Sequence, residues 1–323
     1  MTLAFTLCSI NYLAQARTLG DSLRRTNPHI RYVICLVDRL DVAQVPKDKL
    51  PDFELLELHQ IGITGLDEMC NHYNITELNT AVKPYFIRYF FEKVPQVENV
   101  IYFDPDIIVY QPLTILERLL QKYDFVLTPH LTTPLNDQLT PNELHHLNTG
   151  VYNLGFIALH KSPEATDFVK WWEEKLFDEC KIDLCNGLFV DQHWVNFAPI
   201  FWNNVHVEKD MGWNAAYWNL HERHFSVKNN EHLVNGKPVV FFHYSGYDPG
   251  YPSVISKYQN RFTFSERPDL NPLFDFYREE LLRNHNTYYR QFPCYYIKPA
   301  RVYKYQRIRK LLTQPLEKLL QWM

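Results

Sequence analysis

Glycine is scarce in this chain, with 10 residues among 323, against roughly 7% in average proteins. Neither G-x-G-x-x-G nor G-x-x-x-x-G-K-[ST] occurs. Those loops hold phosphate in dinucleotide-binding Rossmann enzymes and in P-loop NTPases, so their absence argues against both classes. We therefore expect any bound phosphate to be neutralised by a metal ion and side chains.

Paired cysteines, strong net charge and long apolar runs are also lacking. The six cysteines include no C-x-x-C pair, and Cys8 and Cys35 lie in apolar runs typical of buried free thiols, which favours a reducing cytosol. A net charge of −4 does not predict nucleic-acid binding. No apolar run reaches the roughly 18 residues of a spanning helix, and Met1–Ile10 lacks the basic flank of a signal peptide. We expect a cytoplasmic protein that binds no nucleic acid.

Short apolar runs alternate with amphipathic segments along the chain. Strands are predicted at Leu3–Ser9, Tyr32–Val37, Phe53–Leu58, Val100–Phe103, Ile107–Val109, Asp124–Thr128 and Val151–Leu159. Helices are predicted at Leu13–Arg25, at Asn79–Lys93, and from Ser162-Pro163 through Lys175. This alternation predicts an α/β fold with a mainly parallel sheet flanked by helices, and such sheets bind ligands at the carboxyl ends of their strands.

The composition changes after about residue 265. From Tyr288 to Met323 there are eight basic residues and one acidic residue, interleaved with tyrosines, and Leu311–Trp322 is amphipathic. We therefore predict an α/β domain at 1–265 and a basic, Tyr-rich, helical extension at 266–323. The extension either contacts the inner face of the plasma membrane peripherally or packs as solvated helices on the domain.

The main functional signal is Ile101-Tyr102-Phe103-Asp104-Pro105-Asp106, an apolar strand that ends in two carboxylates. Residues i and i+2 of an extended segment point to the same side, so Asp104 and Asp106 can share Mn²⁺ or Mg²⁺. Such an ion can bridge phosphate oxygens and absorb charge on a departing nucleoside diphosphate. The alternative is a solvated turn.

Three other polar positions each carry two interpretations. His243 follows the apolar run Pro238–Phe242 and is either a metal ligand or a strand cap. Asp191-Gln192 stands at a predicted helix start, as a cap or as a polar pair that faces a sugar. Asn153-Leu154-Gly155 interrupts a strand-like run, which marks either a ligand contact or a bulge.

Taken in order, these motifs resemble glycosyltransferase family 8, the retaining nucleotide-sugar transferases of GT-A fold that include lipopolysaccharide galactosyltransferases and glycogenin. The matching segments are Tyr85–Arg88 (Y-x-x-R), Val100–Val109 (D-x-D), Tyr152–Leu159 (N-x-G), Asp191-Gln192 (D-Q) and His243–Gly246 (H-x-x-G). Asn148-Thr149-Gly150 is a competing match for N-x-G. The resemblance covers roughly residues 1 to 250.

The resemblance implies a metal-dependent hexosyltransferase (EC 2.4) that moves a sugar, with retention, from a nucleoside-diphosphate sugar such as a UDP-sugar. The implied acceptor is a hydroxyl of a glycan or glycolipid, as in lipopolysaccharide biosynthesis. The implied ligands of Mn²⁺ or Mg²⁺ are Asp104, Asp106 and His243. The implied donor contacts are Thr6, Cys8, Asn11, Tyr12, Lys83, Arg88, Asp104, Asn153, Gly155 and Gly246. The implied catalytic residues are Gln192, Asp191 and Arg88.

One motif departs from the family. Relatives often continue H-x-x-G with x-x-K, whose lysine contacts the diphosphate, but no lysine follows Gly246 within Tyr247–Gly250. Lys257, Arg261 or the metal alone are the alternatives for that contact.

Other functions remain open alternatives. An inverting GT-A transferase needs a carboxylate base, such as Asp191 or Asp248. A nucleotidyltransferase usually carries a Gly-rich N-terminal loop, which Leu7–Tyr12 lacks. A catalytically inactive carbohydrate-binding protein is the third alternative.

Overall fold

The computed structural model of the protein describes residues 1–297. In chain order, the strands of this part are β1 (Thr2–Cys8), β2 (Arg31–Leu36), β3 (Glu54–Glu57), β4 (Asn99–Phe103), β5 (Ile107–Val109), β6 (Phe125–Leu127), β7 (Phe156–His160), β8 (Ile182–Asp183), β9 (Leu188–Phe189), β10 (Val205–Val207), β11 (Ala215–Ala216), β12 (Phe225–Lys228), β13 (Glu231–Val234), β14 (Lys237–Pro238) and β15 (Phe241–His243). The α-helices are α1 (Leu13–Thr26), α2 (Leu40–Ala43), α3 (Leu66–His72), α4 (Ile75–Ala81), α5 (Lys83–Lys93), α6 (Thr114–Leu119), α7 (Glu143–Thr149), α8 (Pro163–Asp178), α9 (Gln192–Val195), α10 (Ala198–Phe201), α11 (Asn271–Arg283) and α12 (Asn286–Tyr289). Short 3₁₀ helices lie at Ile10–Tyr12, Lys47–Lys49, Leu58–Ile61, Leu184–Asn186, Tyr217–Glu222 and Pro268–Leu270.

A seven-stranded sheet forms the centre of residues 1–297, in the order β10-β6-β7-β4-β1-β2-β3. Its pairs are parallel except that β7 runs antiparallel between β4 and β6. The predicted α/β class and mainly parallel sheet are therefore confirmed. The carboxyl ends of β1 and β4 lie at the same edge, because these strands pair in parallel.

The sheet separates two hydrophobic cores, and β1 contributes alternate residues to each. Ala4 and Cys8 belong to the core with α1, whereas Leu3, Phe5 and Leu7 belong to the core with α5 and α8. Successive strand residues point to opposite faces, so an almost wholly apolar strand is required where helices cover both sides. This explains the short runs without alternation that the sequence shows.

Two predicted elements have different boundaries. The helix predicted at Asn79–Lys93 is two helices: α4 starts earlier, because Asn74 and Glu77 form a capping box, and α5 begins anew with Pro84 in its first turn. The strand predicted from Val151 begins only at Phe156. The backbone before it turns back on itself, and the Phe156 amide bonds the carbonyl of Asn153.

A smaller sheet places a second set of strand ends beside the first. β15 lies between β11, to which it is parallel, and β5, to which it is antiparallel. In this register His243 stands opposite Ile107, and the Tyr244 amide bonds the Asp106 carbonyl at 2.8 Å. The short β5 therefore carries Asp104 and Asp106 to the tip of β15.

The described part of the predicted extension packs on the rest of the chain. Helices α11 and α12 contact α1, and Leu273, Phe274 and Tyr277 are buried in the α1-side core. The division at residue 265 remains a prediction. The amphipathic segment Leu311–Trp322, and with it the predicted membrane contact, lies outside the described residues. No helix found within residues 1–297 is both long and apolar enough to cross a membrane.

Candidate active site

Asp104, Asp106 and His243 converge at the edge of the sheet. His243 Nε2 lies 3.0 Å from Asp106 Oδ1 and 3.6 Å from Asp104 Oδ2. One ligand atom from each of the three residues lies within 4.8 Å of the others. Two carboxylates and one imidazole are a suitable ligand set for Mn²⁺ and, less specifically, for Mg²⁺.

Neighbouring strands hold each of these side chains. The Asp104 amide bonds the Gly155 carbonyl at 2.7 Å, because β4 pairs with β7 up to Phe103 and Phe156. The Tyr102 hydroxyl donates to Asp104 Oδ1 at 2.6 Å. Backbone pairing of β4 with β7, and of β5 with β15, therefore sets the positions of the three side chains.

Burial and neighbouring charges shift the pKa values of Asp104 and His243. Burial raises the pKa of Asp104, and Lys83 and His243 only partly oppose this effect. Burial alone would lower the pKa of His243, but the adjacent Asp106 and then Asp104 raise it overall.

Asn153 fixes the orientation of the His243 ring. Its Oδ1 lies 3.3 Å from His243 Nδ1 and also accepts from Asn214 Nδ2 and the Gly155 amide, at 3.0 and 3.2 Å. An Nδ1–H donor to this oxygen leaves Nε2 free for a metal. A Cβ on Gly155 would collide with the His243 ring, so a glycine is required there.

This geometry separates the two competing N-x-G segments. Asn153 and Gly155 contact His243 directly, whereas Asn148 is an exposed residue of α7. The segment at 153–155 therefore belongs to the metal-ligand cluster.

Beneath the cleft lies an ion pair between Lys83 and Asp191. Their side chains are 1% and 3% exposed, and Lys83 Nζ also donates to the Leu154 carbonyl at 2.8 Å. Burial raises the pKa of Asp191, and Lys83 opposes the rise. The adjacent Gln192 bonds the Thr149 carbonyl through Nε2 at 2.6 Å. This pair anchors the start of α9 under the cleft.

Two cavities meet at Asp104. The smaller, about 410 Å³, is lined by Cys8, Asn11, Tyr12, Asp106 and Gly246 among others. The larger, about 810 Å³, is lined by Lys83, Asn153, Gly155, Asp191, Gln192 and His243 among others. The residues that line both are Thr76, Thr80, Asp104, Ser245, Lys257 and Tyr258. A ligand that spans the cavities must pass the candidate metal site.

Two predicted site residues are not brought to the cleft. Arg88 bonds Glu173 Oε1 through Nε at 2.7 Å and lines neither cavity, because it lies on the face of α5 that packs against α8. Thr6 is fully buried within β1 and also lines neither cavity. Neither residue therefore borders the two cavities, and their donor contacts remain predictions.

The sequence interpretation missed several cleft residues. His130, His146 and Trp218 line the larger cavity, and burial lowers the pKa of His146 to about 4, so its ring is neutral. Tyr277 and Arg290 reach the smaller cavity from beyond residue 265. None stands in a local motif, and tertiary packing alone unites them.

Comparison with known proteins adds relatives without an assigned activity. No protein-family model matches the chain. YfnF, an uncharacterized protein of Bacillus subtilis (strain 168), is 28% identical over 256 residues, which cover 76% of this chain and 82% of YfnF. YfnD, an uncharacterized protein of the same organism, is 22% identical over 218 residues, or 67% of this chain and 68% of YfnD.

Among solved structures, the chain is similar to the galactosyltransferase LgtC in complex with donor and acceptor sugar analogues. The identity is 14%, the TM-score is 0.48, and the match covers 88% of this chain and 96% of LgtC. At this level of similarity, the function must be argued from the geometry of the site itself.

Proposed function

We propose that the protein is a metal-dependent glycosyltransferase of GT-A fold that transfers a sugar from a nucleoside-diphosphate sugar to a hydroxyl of a glycan or glycolipid. The observation that carries this proposal is the convergence of Asp104, Asp106 and His243 at the point where the two cavities meet. A bound divalent ion would neutralise the donor diphosphate and its developing charge on bond cleavage.

The smaller cavity suits the nucleotide. Asn11 offers amide hydrogen-bonding groups and Tyr12 a ring that is 44% exposed, which suits stacking on a base. Gly246 lies across from them in a left-handed conformation, with φ of 75°. We propose a UDP-sugar as donor, on the resemblance to family 8.

The larger cavity suits the transferred sugar and the acceptor. Gln192 and the buried pair of Lys83 and Asp191 lie on its wall next to Asp104. Prearranged dipoles and charges of this kind stabilise charge that develops on a sugar ring without reorganising during the reaction. Trp218 and Tyr217 add aromatic surface for the apolar faces of sugar rings.

Retention is proposed in preference to inversion. An inverting transferase needs a free carboxylate base beside the acceptor. Asp191 pairs with Lys83, and Asp248 pairs with Arg290, so both candidates are held by basic partners. The configuration of the product's anomeric carbon, read by NMR, separates the two outcomes.

The test is turnover on a panel of UDP-, GDP- and CDP-sugars with Mn²⁺. We expect one donor class to be hydrolysed, and the Asp104→Ala/Asp106→Ala double variant to lose about 10³-fold or more in rate, since charge stabilisation at the leaving group is removed. Asp48→Ala/Asp52→Ala, which removes two exposed acids distant from the cleft, is the matched control. Full activity of the first variant, or of wild type in excess chelator, would contradict the proposal.

Failure of every donor in the panel would instead support a carbohydrate-binding protein without activity.

A further inference from the structure

Residues 247–250, directly after Gly246, include no basic side chain that could bind the donor diphosphate. That segment carries Asp248, an acid, and Arg290 is paired with it. A donor in the smaller cavity would bring further negative charge beside Asp104 and Asp106. The question is which basic side chain faces that charge.

Most basic residues around the cleft are already paired with a carboxylate. Lys83 is held by Asp191 and Arg290 by Asp248, and the more distant Arg88 is held by Glu173. Arg261 makes two bonds of 2.8 Å to Asp137 and two more to backbone carbonyls, so its buried guanidinium stabilises the loop 137–141. None of these is available without breaking an existing pair.

Lys257 differs from all of them. Among the residues that the structure describes, no ion pair within 4.0 Å is found for Lys257, and its Nζ lies 4.9 Å from the centre of the Tyr258 ring. Of the six residues that line both cavities, Lys257 is the only basic one. It therefore borders the junction without a direct ion pair. The nearby Asp248, whose pKa is lowered first by its bond to Arg290 and less by Lys257, is held by Arg290.

The fold also explains how a residue so far from the H-x-x-G segment arrives there. The Lys257 amide donates to the Gly246 carbonyl at 3.1 Å. A Cβ on Gly246 would collide with Ser256 Oγ and the Tyr258 ring, so the two segments are in direct contact. The glycine permits this close approach, and the backbone bond fixes where the Lys257 side chain starts.

We propose that Lys257 binds the distal phosphate of the donor and stabilises the leaving nucleoside diphosphate. The inference rests on the proposed function. In the reaction, the bond between the anomeric carbon and the phosphate oxygen breaks and its electron pair stays on that oxygen. The acceptor oxygen forms the new bond to the anomeric carbon, and the proton of the acceptor hydroxyl passes to the departing phosphate. Lys257 contributes a positive charge beside the departing oxygen, where charge-assisted hydrogen bonds are strongest.

The test compares Lys257→Met with Lys257→Arg, and uses Lys228→Met, an exposed lysine of β12 outside both cavities, as the matched control. Calorimetry measures binding of UDP and UMP, each with Mn²⁺. We expect Lys257→Met to weaken UDP binding about 10-fold or more and UMP binding far less, because UMP lacks the distal phosphate. Lys257→Arg should restore most of the UDP affinity.

A second readout is donor hydrolysis, in which Lys257→Met should lower kcat as well as raise KM, since the contact strengthens as charge develops. Equal losses for UDP and UMP, or unchanged UDP binding and kcat, would overturn the assignment. These outcomes differ from failure of the proposed function, in which wild type itself neither binds UDP, GDP or CDP with Mn²⁺ nor hydrolyses a donor; that result would remove the basis of the inference as well.

Discussion

Two charged groups lie under the same cleft and differ in what neutralises them. Asp104 and Asp106 are 31% and 20% exposed and have only the His243 imidazole as a shared partner. Asp191, 3% exposed, has a lysine ammonium in direct contact. Two carboxylates that face a cavity and have no lysine or arginine of residues 1–297 in contact are suited to bind a cation from solution. The buried ion pair of Lys83 and Asp191, which we call the sealed pair, instead stabilises the fold.

The largest effect is expected on breaking the sealed pair. Lys83→Met would leave Asp191 as an uncompensated buried carboxylate, which costs about 3–5 kcal/mol of folding stability. Urea unfolding measures this loss, and Lys93→Met, an exposed lysine on the same helix, is the control. Lys83→Met/Asp191→Asn should recover much of the stability, because the buried charge is gone. A loss below about 1 kcal/mol would contradict the contrast drawn between the two groups.

An intermediate effect is expected at the contact that orients the open group. Asn153→Ala removes the acceptor for His243 Nδ1, and loss of such outer partners typically costs about 10–100-fold in metal affinity. Asn148→Ala, in the competing N-x-G segment, should leave Mn²⁺ affinity unchanged. Mn²⁺ titration by calorimetry, with the melting temperature as a check on folding, separates the two variants. Equal effects would remove the role assigned to Asn153.

The smallest effect is expected at Arg88, which belongs to neither group. Its partly exposed ion pair with Glu173 is worth about 0–1 kcal/mol of stability. Arg88→Ala should therefore change donor turnover less than about twofold, a difference near 0.4 kcal/mol. A loss of more than about tenfold in donor turnover, with an unchanged melting temperature, would indicate that Arg88 does contact the donor.

The sequence predicted best where a function follows directly from a strand end. Asp104, Asp106 and His243 each follow a buried apolar run, at the ends of β4 and β15, which belong to two neighbouring sheets. Asn11, Tyr12 and Gly246 were predicted from the resemblance to family 8, and they line the smaller cavity. The prediction for Arg88 stays untested: the residue pairs with Glu173 and lines neither cavity, and a helix motif does not state which face of the helix meets the ligand.

Lys257 and Arg290 could not be assigned from local pattern, because their positions depend on loops. The resemblance to family 8 indicated that a lysine is missing after Gly246, and it left Lys257, Arg261 and the metal alone as alternatives. The structure shows that Arg261 pairs with Asp137 and that the Lys257 amide bonds the Gly246 carbonyl, and these contacts support the proposal for Lys257.

By itself, the sequence determined the α/β class, the strand that carries Asp104 and Asp106, and the order of the polar segments, since these depend on local hydrophobic periodicity. Only the tertiary structure decided which Asn orients His243, which acid is sealed by Lys83, and which lysine borders both cavities. The first two contacts join residues that are 90 and 108 positions apart, and the third depends on loop packing, so no local period of the sequence records them.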